Sequence, residues 1–301
     1  MEELTGATQT IYDHFAHFGL QMHIGTRNKK SKTEVMFFLA SLKEATTLQN
    51  VSPTNFSLND GANNIQFTAA FKYLGSIITP CLTEDKEIDA RIKKAKSQMG
   101  LLRHFFNCKN VDLSIKYWIY MAGPLNILLW GSESWNLSEQ NRDKLNAFHH
   151  TAIRQILGIW MDEVIECHIT NEQVRKWFCN IPKVDSFIMR RTWKYMGKVY
   201  RARGESLPKK MLGAWVPATR KAGRLQMSCK DNFIRALKEV LNNQISDEAT
   251  FKEWFPIAAD EAKWNSLIED HFQKLCTDDL CADDCQNYEY EPFVRFDVSQ
   301  E

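Results

Sequence analysis

Phe71-Lys-Tyr-Leu-Gly-Ser-Ile-Ile-Thr79 reads as a strand, a turn at Leu74-Gly75 and a second strand, and residues 84–106 just after it read as one long helix. Gly75 can take positive φ without a Cβ penalty, so a tight hairpin is expected with Lys72, Tyr73 and Ser76 about its tip. In the helix, Ile88, Ile92, Ala95, Met99, Leu102 and Phe106 alternate four- and three-residue steps and make one apolar seam. Arg91, Lys93, Lys94, Lys96 and Arg103 lie off that seam.

Upstream, residues 8–18 place Ile11, Phe15 and Phe18 on one helical face, and Gly19 supplies a stop. A polar, basic loop is expected over 25–32 and a short apolar strand over 34–39. A strand fragment and a turn-rich loop follow through 62, then a strand at 65–67. Downstream, a helix over 113–129 is broken or kinked at Pro124. The next begins at Ser138 and runs to about residue 157, with Leu145, Phe148, Ala152, Ile153 and Ile156 as its buried stripe and Gly158 as its stop. Shorter helices follow at about 171–178, 184–202, 231–243, 251–256 and 258–275, with breaks at 203–208 and 215–223. The last 25 residues lack periodicity, are rich in Asp and are expected to be mobile.

The expected fold is therefore α+β and mainly α. A small antiparallel region with one helix covers 1–80 and a helical region covers 81–160. A second helical region covers 161–275, and an acidic tail covers 276–301. At 301 residues and 44% hydrophobic content the chain can bury a sizeable core. No stretch nears the roughly 18 apolar residues that a membrane span needs, and the N-terminus lacks the pattern of a signal peptide. Eight irregularly spaced cysteines read as reduced thiols, so an intracellular setting is expected, nuclear or cytoplasmic. The net charge of +1 hides a strong segregation. Residues 189–230 hold 12 basic residues and one acid, whereas residues 231–301 hold 6 basic and 17 acidic. Such a band suits phosphate contact; a solvated helix face balanced by the acidic tail reads the same way.

Four blocks, in order, resemble the C-terminal part of non-LTR (LINE-type) retrotransposon reverse transcriptases. The first is Phe18-Gly-Leu-Gln-Met with Ser31-Lys-Thr-Glu-Val-Met36. The second is the Phe71–Thr79 stretch with Glu87-Ile-Asp-Ala-Arg-Ile92. The third is Trp130-Gly-Ser-Glu-Ser-Trp135 with Leu145-Asn-Ala-Phe-His149 and Arg154-Gln-Ile-Leu-Gly158. The last is Arg190-Arg-Thr-Trp-Lys-Tyr-Met-Gly197 with Ala222-Gly-Arg224 and Asp260-Glu-Ala-Lys-Trp264. The resemblance implies a palm remnant over 1–80, a primer-grip hairpin at Lys72, Tyr73, Gly75 and Ser76, and a thumb over 81–160. The family's catalytic Asp-Asp box precedes the first block. Here Asp-Asp occurs only at 278–279 and 283–284, outside the strand context that two-metal chemistry uses. The expectation is a truncated RNA-directed DNA polymerase without catalytic residues, metal ligands or a cofactor; Mg2+ belongs to a complete polymerase. It would bind RNA or DNA weakly and without sequence preference. The alternatives are an interaction protein built from helices and a piece of a longer polymerase. Residues 1–80, lacking the rest of a palm sheet, would leave an apolar face and a strand edge open to a protein partner or self-association.

Lys32 matches a family Lys that faces phosphate, although a solvated cluster with Lys29 and Lys30 is the default for such a loop. Arg91, Lys93, Lys94 and Lys96 can track phosphates or simply face solvent. Arg190, Arg191, Lys194, Lys198 and Arg201 interleave with Trp193, Tyr195 and Tyr200, which suits single-stranded nucleic acid or a core-facing stripe. His149 and His150 read as structural. His271, Cys276, Cys281 and Cys285 match no common zinc spacing.

Overall fold

The computed structural model describes residues 2–25, 31–36, 38, 56–57, 64–204, 206–213, 229–241, 245 and 248–278. The chain is mainly helical, with a few short strands in two small sheets. It divides into two units, Met1–Asp89 with Pro217–Ser228, and Ala90–Val216 with Cys229–Glu301. Most of the expected loops at 25–32 and 40–62, the break at 215–223, Ala222-Gly-Arg224 and residues 279–301 lie outside the described residues.

In the first unit, α1 (Glu2–His17) ends in a Schellman-type turn. The Leu20 N–H donates to the Phe15 carbonyl at 2.8 Å and the Gly19 N–H to that of Ala16 at 3.0 Å, closing carbonyls that a helix end leaves open. The packed face of α1 is not the expected one. Leu4 and Tyr12 pack with Met22, Ile24, Val35 and Phe67 around the fully buried Ile65, while Ile11, Phe15 and Phe18 are exposed. Thr8 can be buried on the packed face because its hydroxyl donates to the Leu4 carbonyl at 2.7 Å.

Three strands, β1 (Glu34–Val35), β2 (Phe56–Ser57) and β3 (Asn64–Phe67), form a sheet in the order β1-β3-β2. β2 runs antiparallel to β3, but β1 is parallel to it, with Glu34 opposite Gln66 and Val35 opposite Phe67. This corrects the all-antiparallel expectation for residues 1–80. A parallel pair needs a crossover of a dozen or more residues, and the chain between β1 and β3 is long enough to supply one. α1 and Met22, packed around Ile65, also cover apolar surface that was expected to be open.

β4 (Phe71–Tyr73) and β5 (Ser76–Ile78) pair antiparallel with Tyr73 opposite Ser76. Leu74 (φ 47°) and Gly75 (φ 94°) remain as a two-residue loop. Two positive φ values are what a type I′ turn requires, and its twist matches that of the flanking strands. After the hairpin, α2 (Asp85–Leu101) and α3 (Arg103–Asn107) replace the single helix expected over 84–106. The break at Leu102 is slight, since the Leu102 N–H still reaches the Gln98 carbonyl at 3.0 Å and the Phe106 N–H the Leu102 carbonyl at 2.9 Å. Ile88, Ala95, Met99 and Phe106 of the seam are buried.

In the second unit, α4 (Leu113–Tyr120) runs into a π turn (Met121–Leu125) that contains Pro124, and then into α5 (Asn126–Leu128). Proline has no N–H and clashes with the carbonyl four residues back, and the wider π turn absorbs both defects. α6 (Glu139–Leu157) starts where expected, with the Ser138 side chain accepting the Asn141 N–H, and stops at Gly158 with φ 76°. Two short helices not expected from the sequence, α7 (Met161–Glu166) and α10 (Leu207–Gly213), bracket α8 (Asn171–Trp177) and α9 (Val184–Arg201). α11 (Cys229–Leu241), α12 (Glu248–Lys252), α13 (Trp254–Ala259) and α14 (Glu261–Asp278) complete the chain. Trp193, Met196, Leu237, Trp254, Trp264 and Ile268 belong to a core cluster of this unit. No described helix is long and apolar enough to cross a membrane.

Candidate nucleic-acid interface

The cationic residues of α2 and α9 looked alike in sequence, and the structure separates them. On α2, Lys93, Lys94 and Lys96 are exposed, and among the described residues no hydrogen bond or ion pair holds them. Arg91 is different. It is only 5% exposed, and its guanidinium carbon lies 6.0 Å from the ring centre of Trp130, within the range of a cation–π contact.

On α9, four of the five candidate cations are held by partners within the unit. Arg190 grips Glu269 of α14, with Nη2 donating to Oε1 at 2.7 Å and to Oε2 at 2.6 Å and Nε donating to Oε1 at 3.2 Å, and its guanidinium lies 4.6 Å over the Phe272 ring. Lys194 meets the same carboxylate at 2.9 Å. Burial alone would push the Glu269 carboxyl up, but the hydrogen bonds from Arg190 and Lys194 outweigh it and hold the group below its ordinary range. Arg191 donates to the Leu129 carbonyl at 2.8 Å and to Asn126 Oδ1 at 2.6 Å. Arg201 donates to the Ala258 carbonyl at 3.0 Å and meets Glu261 at 3.4 Å. Lys198 alone of the five is exposed without a described partner. The aromatics between them belong to the core: Trp193 is fully buried, and Tyr200 packs against Trp254 and Phe255 at 5.3 Å and 4.9 Å. Glu269→Gln keeps the shape but removes the charge that two cations share. We expect a loss of about 1 kcal/mol, modest because the groups are part-exposed, read as a lower urea midpoint.

In the first unit, Lys72 and Tyr73 are exposed and Ser76 half-buried, with the Tyr73 ring stacked 6.5 Å from that of Phe71. Lys32 is exposed, and its backbone N–H donates to His23 Nδ1 at 3.1 Å. Lys29 and Lys30 lie outside the described residues. What fixes the hairpin is a residue that sequence reasoning did not single out. Glu87, 4% exposed, accepts the Ile77 N–H at 2.7 Å. An acid in a helix's first turn ordinarily reads as a dipole partner, so the sequence held no signal of this reach. Glu87→Ala would leave the Ile77 N–H without that acceptor and cost about 1–3 kcal/mol. Amide exchange at Ile77 should then rise well above that at Ile65; unchanged protection would refute the tether.

The two histidines of α6 are buried and hydrogen-bonded within the fold. The Tyr120 hydroxyl meets His149 Nδ1 at 2.8 Å, and His149 Nε2 donates to the Pro182 carbonyl at 3.1 Å. That carbonyl can only accept, so Nε2 carries the proton and Nδ1 accepts from Tyr120. His150 Nε2 accepts from Arg175 at 3.2 Å. Burial lowers His149 to about 3, helped by the neighbouring His150, and burial with Arg175 lowers His150 to about 4. Burial also pushes the Tyr120 hydroxyl well above its ordinary range. His271 packs edge-on against Trp193 at 5.3 Å, and the side chains of Cys276, Cys281 and Cys285 lie outside the described residues.

Trp130 is the other residue that the sequence did not mark out as a site. It follows Leu129, precedes Gly131 at φ 78°, and is 56% exposed although Leu129 and Ser132 are buried. No family model matches this chain, and neither a curated protein nor a solved structure matches it.

Proposed function

We propose that this protein binds RNA or DNA without sequence preference through the lysine face of α2, and that it descends from the primer-grip and thumb portion of a non-LTR reverse transcriptase. The observation that carries the binding is the contrast between the two helices. Arg190, Arg191, Lys194 and Arg201 of α9 are spent on internal partners, whereas Lys93, Lys94 and Lys96 of α2 face solvent with no described partner. Exposed lysines on a rigid helix give a salt-sensitive phosphate contact that ignores base identity. The descent rests on the order of the four sequence blocks, and the tight hairpin ahead of a cationic helix agrees with it. The reading assigns no catalytic step, metal ion or cofactor to the chain. Lys72, Tyr73, Gly75, Ser76 and Lys32 enter it as further contacts of the primer-grip type.

The test is fluorescence anisotropy of a labelled primer–template with the full chain. Binding at ~50 mM salt that weakens by an order of magnitude or more at ~200 mM is expected. No binding at the lower salt would refute the proposal. A second reading has its own observation. Ile115, Trp118 and Ile119 lie at i, i+3 and i+4 on α4 and are all exposed, an apolar stripe of the kind that a protein partner covers.

A further inference from the structure

We infer that Trp130 is a base-stacking platform and that the nucleic acid held by α2 is single-stranded; this rests on the binding reading above. Three observations in the second unit support it. First, Trp130 is 56% exposed while the residues around it in sequence are fixed: Leu129 and Ser132 are buried and Trp135 is 4% exposed. Arg191 Nη1 donates to the carbonyl of Leu129 at 2.8 Å, and the Ser134 hydroxyl donates to that of Gly131 at 3.0 Å. An indole held this way loses little freedom on binding. Second, Arg91 lies beside the ring at 6.0 Å, so one side of the indole is already backed by a cation and part of the ring remains open. Third, Lys94 is one helical turn beyond Arg91 and exposed, on the neighbouring position of the same helix face.

An open indole with a cation beside it, on a helix that also carries exposed lysines, fits a nucleobase together with its phosphate. Every base has a π face, so stacking carries no sequence preference, in keeping with phosphate contacts that carry none either. A duplex keeps its bases stacked on one another, and only an unpaired strand offers one to Trp130. A protein partner would meet the Arg91 guanidinium beside the Trp130 ring, a charge that a phosphate-bearing strand accommodates more readily than an apolar surface does; Glu133 acts on Arg191, which holds the Leu129 carbonyl.

The experiment compares a labelled 20-nucleotide oligothymidine strand with a duplex of the same length, using the full chain, Trp130→Ala and Trp130→Phe. The inference predicts tighter binding of the strand. Trp130→Ala should weaken strand binding about 5- to 100-fold with little change for the duplex, and Trp130→Phe should restore most of the loss. As a check independent of any variant's folding, a strand carrying 5-iododeoxyuridine should photocrosslink to the peptide containing Trp130. Equal affinity for strand and duplex, unchanged strand binding in Trp130→Ala, or crosslinks confined to other peptides would each overturn the inference and leave Trp130 as an anchor for a protein. Failure to bind either probe would instead refute the underlying binding reading, and this inference with it.

Discussion

Gly197→Ala should destabilise the second unit by about 3 kcal/mol, although alanine is the better helix former. In an open helix the same change gains about 1 kcal/mol. At Gly197, however, a Cβ would fall inside the van der Waals envelope of Trp264 Cδ1 and Nε1 and lie 3.0 Å from Arg201 Nη1. Trp264 cannot step aside cheaply, because it is fully buried and its Nε1–H donates to the Trp193 carbonyl at 3.0 Å. Overpacking a rigid core costs about 1–3 kcal/mol, and displacing the indole would also break that hydrogen bond. Gly100 on α2 is the control, since a Cβ there meets nothing within 4 Å, and Gly100→Ala should be neutral or stabilising. Urea midpoints followed by tryptophan fluorescence read both variants. A Gly197→Ala midpoint equal to the parent's would show that Trp264 can shift to admit the extra methyl group.

Lowering the pH from 7 to about 4.5 should cost the same unit on the order of a few kcal/mol through its two buried histidines. His149 and His150 are held neutral, with values of about 3 and 4 against an ordinary 6.5. A depressed histidine favours the fold wherever the unfolded chain has bound protons less, that is above about 6.5. As pH falls below 6.5 the unfolded chain takes up protons that the fold refuses, so stability drops until the folded values are reached. The slope is about 1.4 kcal/mol per pH unit for each imidazole. Glu269 acts in a lower window: its folded value lies below the ordinary 4.5, so its contribution is lost only as pH falls further. Replacing His150 by Gln keeps an acceptor for Arg175 and removes one titration. The variant should show roughly half the slope between pH 6.5 and 4.5. A flat parent profile over that interval would contradict the buried, neutral pair.

Local features carried most of what could be read from sequence alone. Ser138, Gly158 and Pro124 act within a turn of their own position, and each marks a helix start, stop or defect that the structure reproduces. The turn at Leu74-Gly75 was legible for the same reason. What escaped depends on distant partners. Arg190 and a phosphate-facing arginine share one helical spacing, and only the arrival of Glu269, 79 residues later, distinguishes them. Glu87 and the Ile77 N–H are ten residues apart but meet only once the hairpin folds back. The parallel partner of β1 is β3, which no pattern local to β1 specifies. α7 and α10 have six and seven residues, too few for a helical period to stand out.

The central claim is that nucleic acid meets α2 and not the clamped cations of α9. The most direct measurement is the dependence of oligonucleotide affinity on salt for the parent, for Lys93→Gln/Lys94→Gln/Lys96→Gln, and for Arg190→Gln. Each phosphate contact on a single strand contributes about 0.7 to the slope of log affinity against log salt. The account predicts that the triple variant loses a slope of about 2 and that Arg190→Gln keeps the parent's slope despite lower stability. An unchanged slope in the triple variant, or a reduced one in Arg190→Gln while it remains folded, would contradict it.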